Sequence, residues 1–182
     1  MARLSLIDSA TATGKAKELL DGPLKGKNFN IFRAMANSPA ALETYLGMAG
    51  ALGKSSLSAA EREVVQLAVG QANGCDYCVA AHTQLGKGAG LTEQQTIEAR
   101  LGTMTDPKLN ALARFALALN EKKGWVSDED VASFRDAGYN DASIAETIAV
   151  FALATYTNVF NHVAETAIDF PAAPVLTAGA AS

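Results

Sequence analysis

Period-2 alternation of apolar and polar positions is missing along this chain, and alanine and leucine dominate the apolar set, so no series of strands is predicted. Helix start signals recur instead. Ser38-Pro39 and Asp106-Pro107 each place a capping side chain before a proline at the first helical position. Ser58 with Glu61 and Thr92 with Gln95 form capping boxes, and Ser127 with Asp130 a weaker one. Gly53, Gly74, Gly90, Gly124 and Gly138 stand where helices stop. These signals predict helices over 10–20, 29–36, 39–52, 59–73, 76–88, 93–101, 107–122, 128–136 and 141–168.

The fold class expected is all-α, a single-domain helical bundle over residues 1–170, with a flexible tail over 171–182. The tail, from Phe170 through Pro171 and Pro174, is expected to leave the helical body and fray. The last helix is apolar around much of its circumference through Ile144, Ile148, Phe151, Ala152, Val159 and Val163, which predicts a central helix or one buried between subunits. Trp125 reads as a packing anchor, and His162 as a polar residue tucked against the core or an interface.

Composition narrows the picture. The 182 residues suffice for one sizeable core, and 49% hydrophobic against 19% charged residues excludes general disorder. A net charge of −4 with no basic cluster argues against nucleic acid. The longest uninterrupted apolar run, Ile148 to Ala154, is too short to span a bilayer, and Met1 to Asp8 holds no signal-peptide core. A cytoplasmic protein is expected, with its two cysteines kept reduced rather than locked in a permanent structural disulfide.

Both cysteines fall within residues 57–91, spaced Cys75-Asp76-Tyr77-Cys78, with His82 four residues on and Glu63 one helix upstream. Asn73-Gly74 break the preceding helix, so the cysteines lie at the mouth of a new one, where unpaired backbone N–H groups and the helix dipole favour a thiolate. Cys78 and His82 share a face at i, i+4, which brings a base within reach of a nucleophile. If the helices either side of Gly74 pack antiparallel, Glu63 points at His82 or Cys78 and completes a Glu–His–Cys proton relay, with Cys75 to close the redox cycle. Weighed against this are two inert buried thiols, or three ligands of a metal site; a closed zinc site wants a fourth, and His162 is far along the chain. Neither a metal nor a cofactor is expected. Gly86, Gly88 and Gly90 lack the strand-then-helix setting of a dinucleotide loop.

The pattern Glu63, Cys75, Cys78, His82 resembles the core motif of the alkylhydroperoxidase D family, within the carboxymuconolactone decarboxylase-like superfamily. Ile31-Phe32-Arg33-Ala34-Met35-Ala36-Asn37-Ser38-Pro39 and Asp169-Phe170-Pro171 resemble its peroxidase-related branch. The resemblance implies an all-α homo-oligomer (trimer, hexamer or dimer) that reduces hydroperoxides. It implies Cys78 as the attacking thiol, Cys75 as the resolving thiol, and Glu63 and His82 as the proton relay. The partners implied are a hydroperoxide and an external dithiol reductant such as dihydrolipoamide or a thioredoxin-like protein. Tyr77 stands where the founding enzymes carry a further histidine. Two other functions compete: a non-redox decarboxylase or isomerase of the superfamily acting on a small lactone acid, and a redox-sensing or binding protein. Cys75 is expected nearer the mouth of the site, where it meets the reductant.

Overall fold

The computed structural model describes residues 2–176, and among them there are nine helices and no strand. They are α1 (Gly14–Asp21), α2 (Asn30–Met35), α3 (Pro39–Leu52), α4 (Ala59–Ala72), α5 (Asp76–Gly88), α6 (Glu93–Leu101), α7 (Pro107–Glu121), α8 (Asp128–Asp136) and α9 (Asp141–Ala164). The starts follow local chemistry. Ser38 and Asp106 accept from Ala41 and Leu109 backbone N–H, and the boxes at Ser58, Thr92 and Ser127 close in both directions. A further box, Asn140 with Ser143, opens α9.

The departures lie at ends set by residues outside the helix itself. α1 begins at Gly14 rather than near residue 10, because Asp8 draws the backbone N–H groups of Ala10, Thr11 and Ala12 into a turn. α9 stops at Ala164 rather than 168: Glu165 adopts a left-handed φ of 48°, and Arg3 holds both its carboxylate (2.6 Å) and the Ala164 carbonyl (2.8 Å). Gly53 does not act as a left-handed stop, since α3 ends there in a right-handed turn. Trp125 is 88% exposed, so it anchors no packing, and His162 is exposed too.

The hub is α4, whose Val64, Val65, Leu67, Ala68 and Val69 are fully buried and which packs on α5, α6, α7 and α9. α9 crosses it and is, by length and composition, the one helix among the described residues able to span a membrane. Its inward face, however, is partly polar (Ser143, Thr147, Thr157, Asn158, Asn161), while Ile148, Val159 and Val163 face outward. Inside the fold it therefore does more than supply apolar bulk. The tail also differs from expectation. Phe170 packs against Phe29 and Tyr77, Asp169 is hydrogen-bonded, and the Pro174 carbonyl accepts from Arg100 Nη1 at 2.7 Å. Residues 165–176 thus form a strap across the bundle; the rest of the expected flexible tail, 177–182, lies outside the described residues.

Candidate functional site

The site forms where α4 and α5 run close. Gly74, with a φ of 65°, reverses the chain between them, a conformation a side chain resists. Two further glycines let the helices approach. A Cβ on Gly70 would lie 3.5 Å from that of Cys78, and one on Gly86 would lie 3.6 Å from the Glu63 Cβ and 3.2 Å from Leu91. This close antiparallel packing carries Glu63 to His82. The imidazole Nδ1 donates to the Glu63 carboxylate at 2.7 Å, with both side chains largely buried. Because the carboxylate can only accept, Nε2 is left to take or give a proton. Arg62, adjacent in sequence, does not compete for Glu63; it donates to the Leu57 carbonyl.

Cys75 and Cys78 are joined as a disulfide, and both are buried. Cys75 is the N-cap of α5, and its sulfur accepts the Cys78 backbone N–H at 3.3 Å. Two expectations need correction. Among the described residues no hydrogen bond links His82 to either sulfur; the ring's hydrogen bond runs from Nδ1 to Glu63. Cys75 is not at the mouth either: Cys78, not Cys75, lines the adjoining cavity.

Residues that sequence reasoning passed over complete the site. Asn161 of α9 donates its amide to the Cys78 sulfur at 3.3 Å and lies 4.0 Å from that of Cys75. Its signal in the sequence was the pair Asn158 and Asn161 on the inner face of an apolar helix, where a buried amide needs a reason. Tyr77 is held by structure on both sides of its hydroxyl. Burial first, then the bond its hydroxyl gives Asp169 (2.8 Å), pushes it well above the usual tyrosine range. Its oxygen also accepts from the Ile31 backbone, and the other Asp169 oxygen accepts from the Asn30 backbone at 2.6 Å. Tyr77 is thus the knot tying α2, α5 and the strap. Tyr45 stays neutral as well, pushed up to about 12 by burial and the nearby Glu63 charge.

The cavity above Cys78 measures about 380 Å³. Ala81, His82, Gln66, Thr157 and Asn161 share its floor with the sulfur, and the exposed Lys27 and half-exposed Leu85 mark its rim. A larger cleft of about 660 Å³ between α7 and α8 holds neither cysteine nor histidine, so size does not locate the chemistry.

Residues 39–121 match the carboxymuconolactone decarboxylase family, a span from α3 to α7 that includes Glu63, Cys75, Cys78 and His82 but neither Asn161 nor the strap. No curated protein matches the chain. Among solved structures, a peroxidase-related protein from Ralstonia eutropha JMP134, an alkylhydroperoxidase AhpD core, superposes with a TM-score of 0.82 at 19% identity, covering 92% of each chain. A peroxidase-related protein from Silicibacter sp. TM1040 gives 0.76 at 22% identity over 91% of each. The debrominase Bmp8, as a cysteine-to-alanine variant in complex with 2,3,4-tribromopyrrole, gives 0.73 at 15% identity over 93% of this chain and 94% of its own. At these identities the likeness is one of fold. Residues 39–121 are therefore similar to the carboxymuconolactone decarboxylase family, and the chain has the helical fold of the alkylhydroperoxidase D-like proteins.

Proposed function

We propose that the protein is a thiol-dependent peroxidase. The observation that carries this reading is a Cys75–Cys78 disulfide under a cavity whose floor also holds His82, itself oriented by Glu63. With the disulfide reduced, His82 takes the Cys78 thiol proton, and the thiolate attacks the terminal oxygen of a hydroperoxide. The O–O bond breaks, the alkoxide recovers the proton from His82 and leaves as the alcohol, and Cys78 becomes a sulfenic acid. The Cys75 thiol then attacks that sulfur, expelling water and forming the disulfide, which an external dithiol reduces back to two thiols. Asn161 holds the Cys78 sulfur and steadies its charge before attack. No resident cofactor or metal enters the cycle.

Since Cys75 lies behind Cys78 rather than at the rim, the reductant must enter by the cavity or by local opening at the start of α5. A peroxide-consumption assay run against dihydrolipoamide and thioredoxin-type donors tests the reading; no turnover with any donor would contradict it. A cytoplasmic location, where such donors are kept reduced, fits the cycle. The outward Ile148, Val159 and Val163 of α9 support a homo-oligomer, which light scattering returning a monomer at micromolar concentration would contradict.

A second reading is reductive dehalogenation of a halogenated ring. It is favoured by the aromatic wall of the cavity together with the fold shared with a debrominase. The same pair of thiols would supply two electrons and two protons, one proton going to the ring carbon and the other released with the halide as the disulfide forms. Bromide release from a bromopyrrole, with no peroxide consumed, would favour it over the first.

A further inference from the structure

One wall of the cavity is a continuous chain of five aromatic rings, and no residue of the chemical relay belongs to it. Tyr77 meets Phe170 edge-on at 5.6 Å, Phe170 lies against Phe29 at 4.4 Å, Phe29 against Phe32 at 6.0 Å, and Phe32 against Tyr45 at 5.1 Å. All five line the cavity, facing a floor that carries Cys78. They come from five separate places: the loop before α2, α2 itself, α3, α5 and the strap. The cavity they border measures about 380 Å³, at the small end of the roughly 300–1,000 Å³ typical of ligand sites. That is room for one ring and a short branch, and far more than hydrogen peroxide needs.

We propose that this cavity is a binding site for ring-bearing (aryl) organic hydroperoxides, the ring held against the wall Tyr77–Phe170–Phe29–Phe32–Tyr45 and the peroxide group at Cys78. The proposal rests on the peroxidase reading. The physical basis is that offset and edge-to-face ring contacts favour an aromatic guest over an equally large saturated one. The buried hydroxyls of Tyr45 and Tyr77 stay neutral, so the ring wall itself presents no charge to an apolar guest. The reaction is the one already written, with the aryl alcohol as the leaving product. Phe170 is the specificity residue best suited to test, because Asp169 and Arg100 anchor the strap without it.

The experiment has two arms. In the first, kcat/KM is compared for cumene hydroperoxide, tert-butyl hydroperoxide and hydrogen peroxide in the full-length protein and in Phe170→Leu and Phe29→Leu. Cumene hydroperoxide is expected to lead tert-butyl hydroperoxide by about tenfold, and either variant to cut that ratio severalfold. In the second arm, saturation-transfer NMR measures binding of cumyl alcohol and its cyclohexyl analogue to the oxidised protein, with no turnover involved. Cumyl alcohol should bind more tightly, and less so in the variants. Peroxide turnover with equal preference for all three substrates, or equal binding of the two alcohols, would overturn the proposal and leave the peroxidase reading standing. Selective binding of cumyl alcohol without turnover of any hydroperoxide would overturn both the peroxidase reading and the hydroperoxide assignment, and leave only a ring site.

Discussion

Phe115, Phe134 and Tyr139 stack at 4.5 and 4.3 Å with planes 24° and 9° apart, and nothing fits between them. The five rings beside the cysteines are tilted or edge-on and surround open space. The first group sits in the core under α4, α7 and α8, its rings stacked on one another at the inner edge of the α7–α8 cleft, with Tyr139 giving its hydroxyl to Glu61 and Lys108 over the Tyr139 ring. The second belongs to a separate cluster that takes in α1, α2 and the cysteines. Similar side chains serve differently because in one cluster they satisfy each other and in the other they leave a surface unsatisfied. One cluster holds the shape, and the other borders the cavity for which we propose a guest.

Truncation should separate the clusters most sharply. Phe134→Ala is expected to cost about 3–5 kcal/mol by removing the middle ring of a buried stack, whereas Phe170→Ala, at a half-buried ring of the strap, should cost less than about 2 kcal/mol. Urea unfolding of both variants measures this, and equal losses would erase the distinction.

The relay comes next. Glu63→Gln and His82→Ala are each expected to keep the fold and lower peroxide turnover by about 10²-fold. Full activity of either across neutral pH would place that residue outside the chemistry. A smaller effect is expected at Asn161. In the reduced protein, Asn161→Ala should slow iodoacetamide alkylation of Cys78 at neutral pH by about tenfold, the worth of one hydrogen bond to a charged sulfur. An unchanged rate would make its contact with the sulfur incidental.

The smallest effect is alkaline. Tyr45 is pushed up to about 12 in the fold by burial and Glu63. Its contribution to stability should be complete below the unfolded tyrosine value of about 10 and be lost as pH rises toward 12. Unfolding free energies across that window should fall less steeply in Tyr45→Phe than in the parent, and parallel curves would contradict the assignment.

How much of this the sequence discloses depends on how local the cause is. Helix starts were legible because a cap and its partner lie three residues apart, as at Ser58 and Glu61. Glu63 and His82 could be placed together because a single break at Gly74 and one antiparallel turn relate them. Other features depend on residues far along the chain. Arg3 ends α9 at Ala164, Asp169 claims the Tyr77 hydroxyl, and Asn161 reaches the Cys78 sulfur from a helix more than eighty residues on. The strap is hidden for the same reason: its prolines point away from helix, and its docking partners Asn30, Tyr77 and Arg100 lie far off in sequence. Trp125 misled because size alone says nothing about whether a partner faces it.

The two sulfurs offer the most direct test of the account. Cys75 receives the helix N–H and Cys78 faces the cavity, so acidity by the dipole and access to substrate point to different atoms. The account sides with access. One equivalent of peroxide added to reduced Cys75→Ser should leave a sulfenic acid on Cys78, read by a dimedone-type probe and mass spectrometry. The same treatment of Cys78→Ser should consume no peroxide above background. Probe adduct on Cys75 in the Cys78→Ser protein, with none on Cys78 in the other, would contradict it.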